Sequence, residues 1–234
     1  MGVVDWGERD GIKGPSPLGP HQGDLVLVSG PSRSGKSRWA EHLADRSGLA
    51  VTYLATGADR PGDRAWQQRV LLHRQRRPAH WTTLEVGGEL EAALEQLGSE
   101  SDDLASSGSY GFEQAMGLSI ACELGAPRPG DPSKLLLIDS LGTWLAHHLD
   151  LDESAWFQRQ DRLLQALRQQ GSPVVLVCEE VGWGLVPPTT IGGLFRDRSG
   201  SLQQRLMQQA AAAWLVVQGR ALNLMALGEP VPPA

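Results

Sequence analysis

The chain is poor in the features that mark a secreted, membrane-bound or nucleic-acid-binding protein. Its 234 residues include two cysteines, Cys122 and Cys178. They are too far apart for metal-ligand spacing and too few for a disulfide framework, which fits a reducing compartment. No apolar run approaches the roughly 20 residues that a membrane-crossing helix needs. A basic excess is missing too: 21 Lys and Arg stand against 27 Asp and Glu, for a net charge of -6. That balance argues against a general nucleic-acid binder held by phosphate attraction. Residues 1–23 carry charges, Gly and Pro in place of a signal-peptide core and read as a disordered extension of a cytoplasmic protein. The Pro-rich stretch 228–234 reads as a disordered tail, and there are no internal repeats. What lies between, 24–227, suits one α/β domain.

Within that domain the most informative stretch is Gly30-Pro31-Ser32-Arg33-Ser34-Gly35-Lys36-Ser37. It fits the phosphate-loop pattern of Gly, four residues, Gly, Lys, then Ser or Thr. Glycines let the backbone curl so that N–H groups converge on phosphate oxygens, and the following helix aims its positive N-terminus at the same anion. Lys36 is placed to reach the β- and γ-phosphates, and Ser37 to take one position around Mg²⁺. The context agrees: the apolar run Leu25 to Val28 precedes the loop, and Arg38 to Ala44 continues with helical spacing. The alternative, a glycine-rich turn with no ligand, leaves this context unexplained. The stretch points to a nucleoside triphosphate.

Further buried-type strands are predicted at Ala50–Ala55, Leu135–Ile138, Val174–Cys178 and Ala213–Val217. Continuous apolar runs alternating with helical segments indicate a mostly parallel sheet covered by helices on both faces. Ligands then sit beyond the carboxyl ends of the strands. The phosphate loop, Thr56, Asp139 and Glu180 all fall there. Between 98 and 134 the chain turns polar and then Pro- and Gly-rich around one apolar stretch, Phe112 to Leu124, that suits a helix. A segment of this length reads as a lid or surface excursion.

Three regions carry candidate chemistry. Asp139 closes an apolar strand, where a carboxylate can hold Mg²⁺ opposite Ser37; the alternative is an Asp that caps the next helix. Asp63 to Arg76 reads as a helix that Pro78 must stop. It brings Arg64, Arg69, His73 and Arg74 to Arg77 together in an otherwise acidic protein, which suggests phosphate groups as partners. Arg69 and His73, four apart, share a face. Neighbouring cations favour the neutral, nucleophilic imidazole of His73; the alternative is a solvated basic face. The third region runs from Glu179 and Glu180 through a glycine-rich loop to Arg196. Two carboxylates at a strand's carboxyl end before such a loop fit a metal or substrate site; the alternative is an acidic loop whose Glu180 caps or pairs locally. Arg196 fits a phosphate or a pair with Asp197.

Together these segments resemble the bifunctional adenosylcobinamide kinase/adenosylcobinamide-phosphate guanylyltransferase family of cobalamin assembly. The resemblance rests on Ser29 to Arg38 with Ala40-Glu41, Tyr53-Leu54-Ala55-Thr56, His73-Arg74 with Arg77-Pro78-Ala79-His80-Trp81 and Glu85, and Leu136 to Asp139. It continues with Glu180 to Pro187, Leu194-Phe195-Arg196-Asp197, Gly200, Gln204-Arg205-Leu206 and Trp214 to Val217. The family resemblance implies a RecA-like phosphate-loop NTPase fold and a homotrimer. It implies phosphorylation of adenosylcobinamide, a corrinoid, by ATP or GTP, then transfer of GMP from GTP through a guanylylated histidine, matched by His73. It implies catalytic roles for His73, Lys36 and Asp139, and nucleotide contacts from Gly30 to Ser37, Ala55, Thr56, Gly57, Arg74, Gln75, Arg76, Arg77, Glu85 and Asp139. Leu72 stands where the family often has a second histidine, Glu179 and Gln203 where it has Asn, and 98–134 is longer than the family usually needs. Two rival readings, a phosphate-loop small-molecule kinase and a non-catalytic RecA-like module, leave the arginine-rich helix and His73 without a role.

Overall fold

The computed structural model describes residues 23–57, 62–106, 134–183 and 189–232. The expected N-terminal extension (Gly23 apart), the expected helix at 112–124 and the last two residues of the tail lie outside them. The first strand, β1 (Leu25–Gly30), leads through the phosphate loop into helix α1 (Lys36–Arg46). Then follow β2 (Ala50–Ala55), α2 (Arg64–Arg76), β3 (Thr82–Glu85), α3 (Leu90–Ser106) and β4 (Lys134–Asp139). The chain continues through α4 (Leu141–Ala146), α5 (Glu153–Arg168), β5 (Val174–Glu179) and α6 (Thr190–Met207). It closes with β6 (Ala212–Val217), β7 (Arg220–Asn223) and the short α7 (Leu224–Leu227).

The seven strands of the described residues form one sheet in the order β3-β2-β4-β5-β1-β6-β7, parallel except for the β6–β7 pair. The apolar runs work because both faces are covered, so successive side chains enter different cores. Leu25 and Leu27 join Leu136, Ile138, Val174 and Leu176 on one face, under α3 to α6. Val26 and Val28 join Leu135, Leu137, Val175 and Val177 on the other, with Ala40 and Ala44 of α1 and Trp81. All five expected strands are present. The edge strands β3 and β7 are additions, and α3 continues through Gly98 into the polar stretch that follows.

This order decides where chemistry is possible. β5 lies between β1 and β4, so Asp139 stands two strands from the phosphate loop at the same end of the sheet. Two glycines make the loop. A Cβ on Gly30 would lie 2.4 Å from the Val216 carbonyl oxygen, so only glycine lets β1 leave the sheet beside β6. Gly35 caps α1 at φ 101, a backbone conformation that glycine adopts without steric cost.

Candidate active site

The loop between Gly30 and Lys36 is held by its own backbone. The Ser34 N–H donates to the Pro31 carbonyl at 3.3 Å, and the Gly219 N–H donates to the Ser34 carbonyl at 3.1 Å. Lys36 is only 5% exposed. Its Nζ donates to the Pro31 carbonyl at 3.3 Å, which folds the amine back over the loop. Ser32, Lys36 and Ser37 line a cavity of about 340 Å³.

Across that cavity stands Asp139. Ser140 occupies the N-cap of α4, so the capping alternative for Asp139 falls away. Its Oδ2 accepts a 2.7 Å hydrogen bond from the Tyr53 hydroxyl and lies 3.7 Å from His73 Nδ1. Burial, reinforced by the charge of Asp139, pushes the Tyr53 phenol well up, so it stays a donor. The Arg77 guanidinium lies over the Tyr53 ring, 3.5 Å from its centre, and its Nε is buried without an acceptor among the described residues. Arg77, Glu85, Ala55 and Gly57 share the cavity wall. These sequence-expected residues converge.

The two carboxylates ending β5 separate. Glu180 lines the cavity, and burial raises its pKa. Glu179 lines it as well. Its carboxylate accepts from the Ser140 hydroxyl and, at 2.7 Å, from the Gly142 N–H. Burial raises its pKa, against those hydrogen bonds, and Asp139 adds to the rise. Gly142 makes room for this carboxylate: a Cβ there would lie 2.4 Å from Glu179 Oε2.

His73 also forms part of a second cavity of about 640 Å³, between α2 and the start of α1. Arg33, Lys36, Arg38 and Arg76 line it against one carboxylate, Asp63. Arg74 instead pairs with Glu85 at 2.8 Å, both side chains being more than half exposed.

Two expectations, for Thr56 and Gln75, change on this geometry, and Arg196 takes the second of its two readings. Thr56 is fully buried, and its hydroxyl donates to the Ser140 carbonyl at 2.6 Å and accepts from the Ser140 N–H at 2.8 Å. Its side chain holds the start of α4 rather than facing a nucleotide. Arg196 pairs with Asp197 at 2.9 Å and lines neither cavity, whereas its neighbour Phe195 lines the first. Gln75 is exposed on α2 and lines neither.

A glycine-rich loop opening a helix beside β1, with a carboxylate two strands away, defines a phosphate-loop nucleotide-binding α/β protein. A solved ATPase from the type III secretion system of pathogenic bacteria has the same fold, at a TM-score of 0.50 and 10% identity, over 89% of this chain and 59% of that one. Residues 26–105 and 119–224 match the family described as cobinamide kinase / cobinamide phosphate guanyltransferase, and the chain belongs to that family. It is 32% identical to the bifunctional adenosylcobalamin biosynthesis protein CobP of Pseudomonas aeruginosa, over 89% of this chain and 99% of that protein. The CobU proteins of Escherichia coli and Salmonella typhimurium are 30% and 32% identical, each over 83% of this chain and 96% of the relative.

Proposed function

We propose that this chain phosphorylates adenosylcobinamide with ATP or GTP and then transfers GMP from GTP to adenosylcobinamide phosphate through a guanylylated His73. The observation that carries this reading is the position of His73. It forms a wall of both cavities and stands 3.7 Å from Asp139, the carboxylate facing the phosphate loop. A side chain between two cavities can accept a group from a donor in one and pass it to an acceptor in the other.

The residues supply what each step needs. The phosphate loop and Lys36 hold the triphosphate and offset charge developing on its oxygens. In the kinase step the substrate hydroxyl attacks the γ-phosphorus and needs no protein nucleophile. In the guanylyl step an imidazole lone pair bonds the α-phosphorus and pyrophosphate leaves with its bonding pair. The phosphate of the corrinoid substrate then displaces the imidazole. Arg77, whose buried Nε has no acceptor among the described residues, suits a phosphoryl oxygen.

The Ser37 hydroxyl and the Asp139 carboxylate are hard oxygen donors on one cavity and fit Mg²⁺. Among the described residues no cluster of three His, Cys, Asp or Glu side chains can hold a metal. That suits an ion bound by one or two protein oxygens together with substrate phosphates. Bound there, Mg²⁺ supplies charge neutralisation of the phosphates. The expected homotrimer follows from the family resemblance; Leu71 and Leu72 on α2 and Ile191 on α6, each more than half exposed, are apolar surface that contact between copies could cover. No described helix is long and apolar enough to cross a membrane.

The test is a pair of assays on the purified chain, one offering adenosylcobinamide and ATP or GTP, the other adenosylcobinamide phosphate and GTP. Product in both supports the reading. Product in the first alone supports a simple kinase.

A further inference from the structure

Glu41 has no part in the chemistry described above, yet it stands one side chain away from it. It lies on α1, and its side chain is 14% exposed. Arg76 Nη2 donates to Glu41 Oε1 at 3.0 Å and lies 3.3 Å from His73 Nδ1. A guanidinium carries donors and no lone pair, so toward His73 it can only donate. When that bond is made, Nδ1 is the ring nitrogen without a proton, and the neutral ring keeps its proton on Nε2. The same Nδ1 faces Asp139 Oδ2 at 3.7 Å, on the side where the triphosphate is held.

We propose that Glu41 is a positioning residue for guanylyl transfer: it anchors Arg76, and Arg76 presents His73 with Nδ1 as the attacking nitrogen. This rests on the guanylylated-histidine reading given above. In the step, the Nδ1 lone pair forms the N–P bond and the bond from the α-phosphorus to its bridging oxygen breaks. Pyrophosphate leaves with that electron pair, and Nε2 keeps its proton. The Arg76 N–H displaced from Nδ1 is free to donate to a phosphoryl oxygen, a role a guanidinium performs well.

The anchor matters because none of the described side chains of α2 is buried, so a pair such as Arg76 with Glu41 helps to set this end of the helix. Glu41 is a firmer anchor than a solvent-exposed acid. Burial raises its pKa, and the hydrogen bond and charge of Arg76 act against that rise. Loss of an anchor that shifts a nucleophile by about 1 Å costs on the order of 10²-fold in rate.

The experiment is single-turnover formation of the GMP adduct on the full chain with α-labelled GTP. In Glu41→Ala the adduct is expected to form about 10- to 100-fold more slowly at saturating GTP, with kinase turnover within about twofold of the unaltered protein. Glu41→Gln keeps an oxygen that accepts from Arg76 and is expected to recover most of the rate. In an Arg76→Ala background, Glu41→Ala is expected to add nothing, because the two act as one unit. NMR of the adduct is expected to show phosphorus on Nδ1. Parallel loss of kinase and adduct rates, additive losses in the double variant, an unchanged rate in Glu41→Ala, or an Nε2 adduct each overturns the proposal. Absence of any adduct in the unaltered protein, shown to bind GTP, overturns the histidine reading and this proposal with it.

Discussion

Lys36 and Asp139 stand where β1 and β4 leave a sheet buried on both faces, whereas His73 stands on a helix with no buried side chain among those described. The first pair is placed by the core. Val28, Leu137 and Ile138 are fully buried, so the strand ends cannot move without opening the domain. Among the described residues, the helix of His73 is tied by Arg76 on Glu41 and Arg74 on Glu85, and the turn after it by Arg77 on Tyr53. The difference divides the two reactions. On the proposed reading, phosphoryl transfer to a hydroxyl uses the rigid half alone, whereas guanylyl transfer also needs the half held by surface pairs. Substitutions in the first half should damage both reactions, and substitutions in the second should damage one.

The largest effect is expected for Lys36→Ala. The amine offsets charge that phosphoryl transfer cannot otherwise disperse, so both reactions should fall by about 10³-fold or more with an unchanged circular dichroism spectrum. Loss of one reaction alone would break the division. Next comes Asp139→Asn. An amide is a poorer ligand for a hard cation, so turnover should fall by about 10²-fold and require more Mg²⁺, while metal-free nucleotide binding, followed by calorimetry, changes little.

A smaller effect sharpens the account of the rigid half. Gly142→Ala drives a Cβ into the carboxylate of Glu179, itself fixed by Ser140 and Gly142. Thermal unfolding should show a loss of about 1–3 kcal/mol, and Glu179→Ala added to it should restore part of that loss. Smallest is the stability effect of Arg74→Ala. Its pair with Glu85 is exposed at both ends, so the loss should stay below about 1 kcal/mol and shrink further in salt.

The same division explains what could be read from the sequence. Strands buried on both faces appear as unbroken apolar runs, so the central strands and the strand-end positions of the loop, Asp139 and Glu180 were legible. β3 and β7 were not, because Thr82–Glu85 and Arg220–Asn223 are short edge strands of alternating exposure, and their residues carry no such run. Side-chain direction was the other gap. Nothing in the order Glu179-Glu180 says that the first carboxylate turns onto Ser140 and Gly142. Nothing in Thr56 says that its hydroxyl is taken up by Ser140. Arg196 follows the shorter route, to Asp197 beside it. The arginine-rich helix was legible as a cluster, but not the partners that Arg74 and Arg76 take across space, Glu85 and Glu41.

One measurement tests most directly whether two reactions share this site through a single histidine. The protein is incubated with GTP and Mg²⁺, digested under conditions that preserve phosphoramidates, and mapped by mass spectrometry alongside His73→Ala. GMP is expected on the peptide containing His73 and absent from the variant, which should lose guanylyl transfer and keep its kinase activity. GMP on His80 or Lys36, or a His73→Ala protein that still transfers GMP to adenosylcobinamide phosphate, would contradict the account.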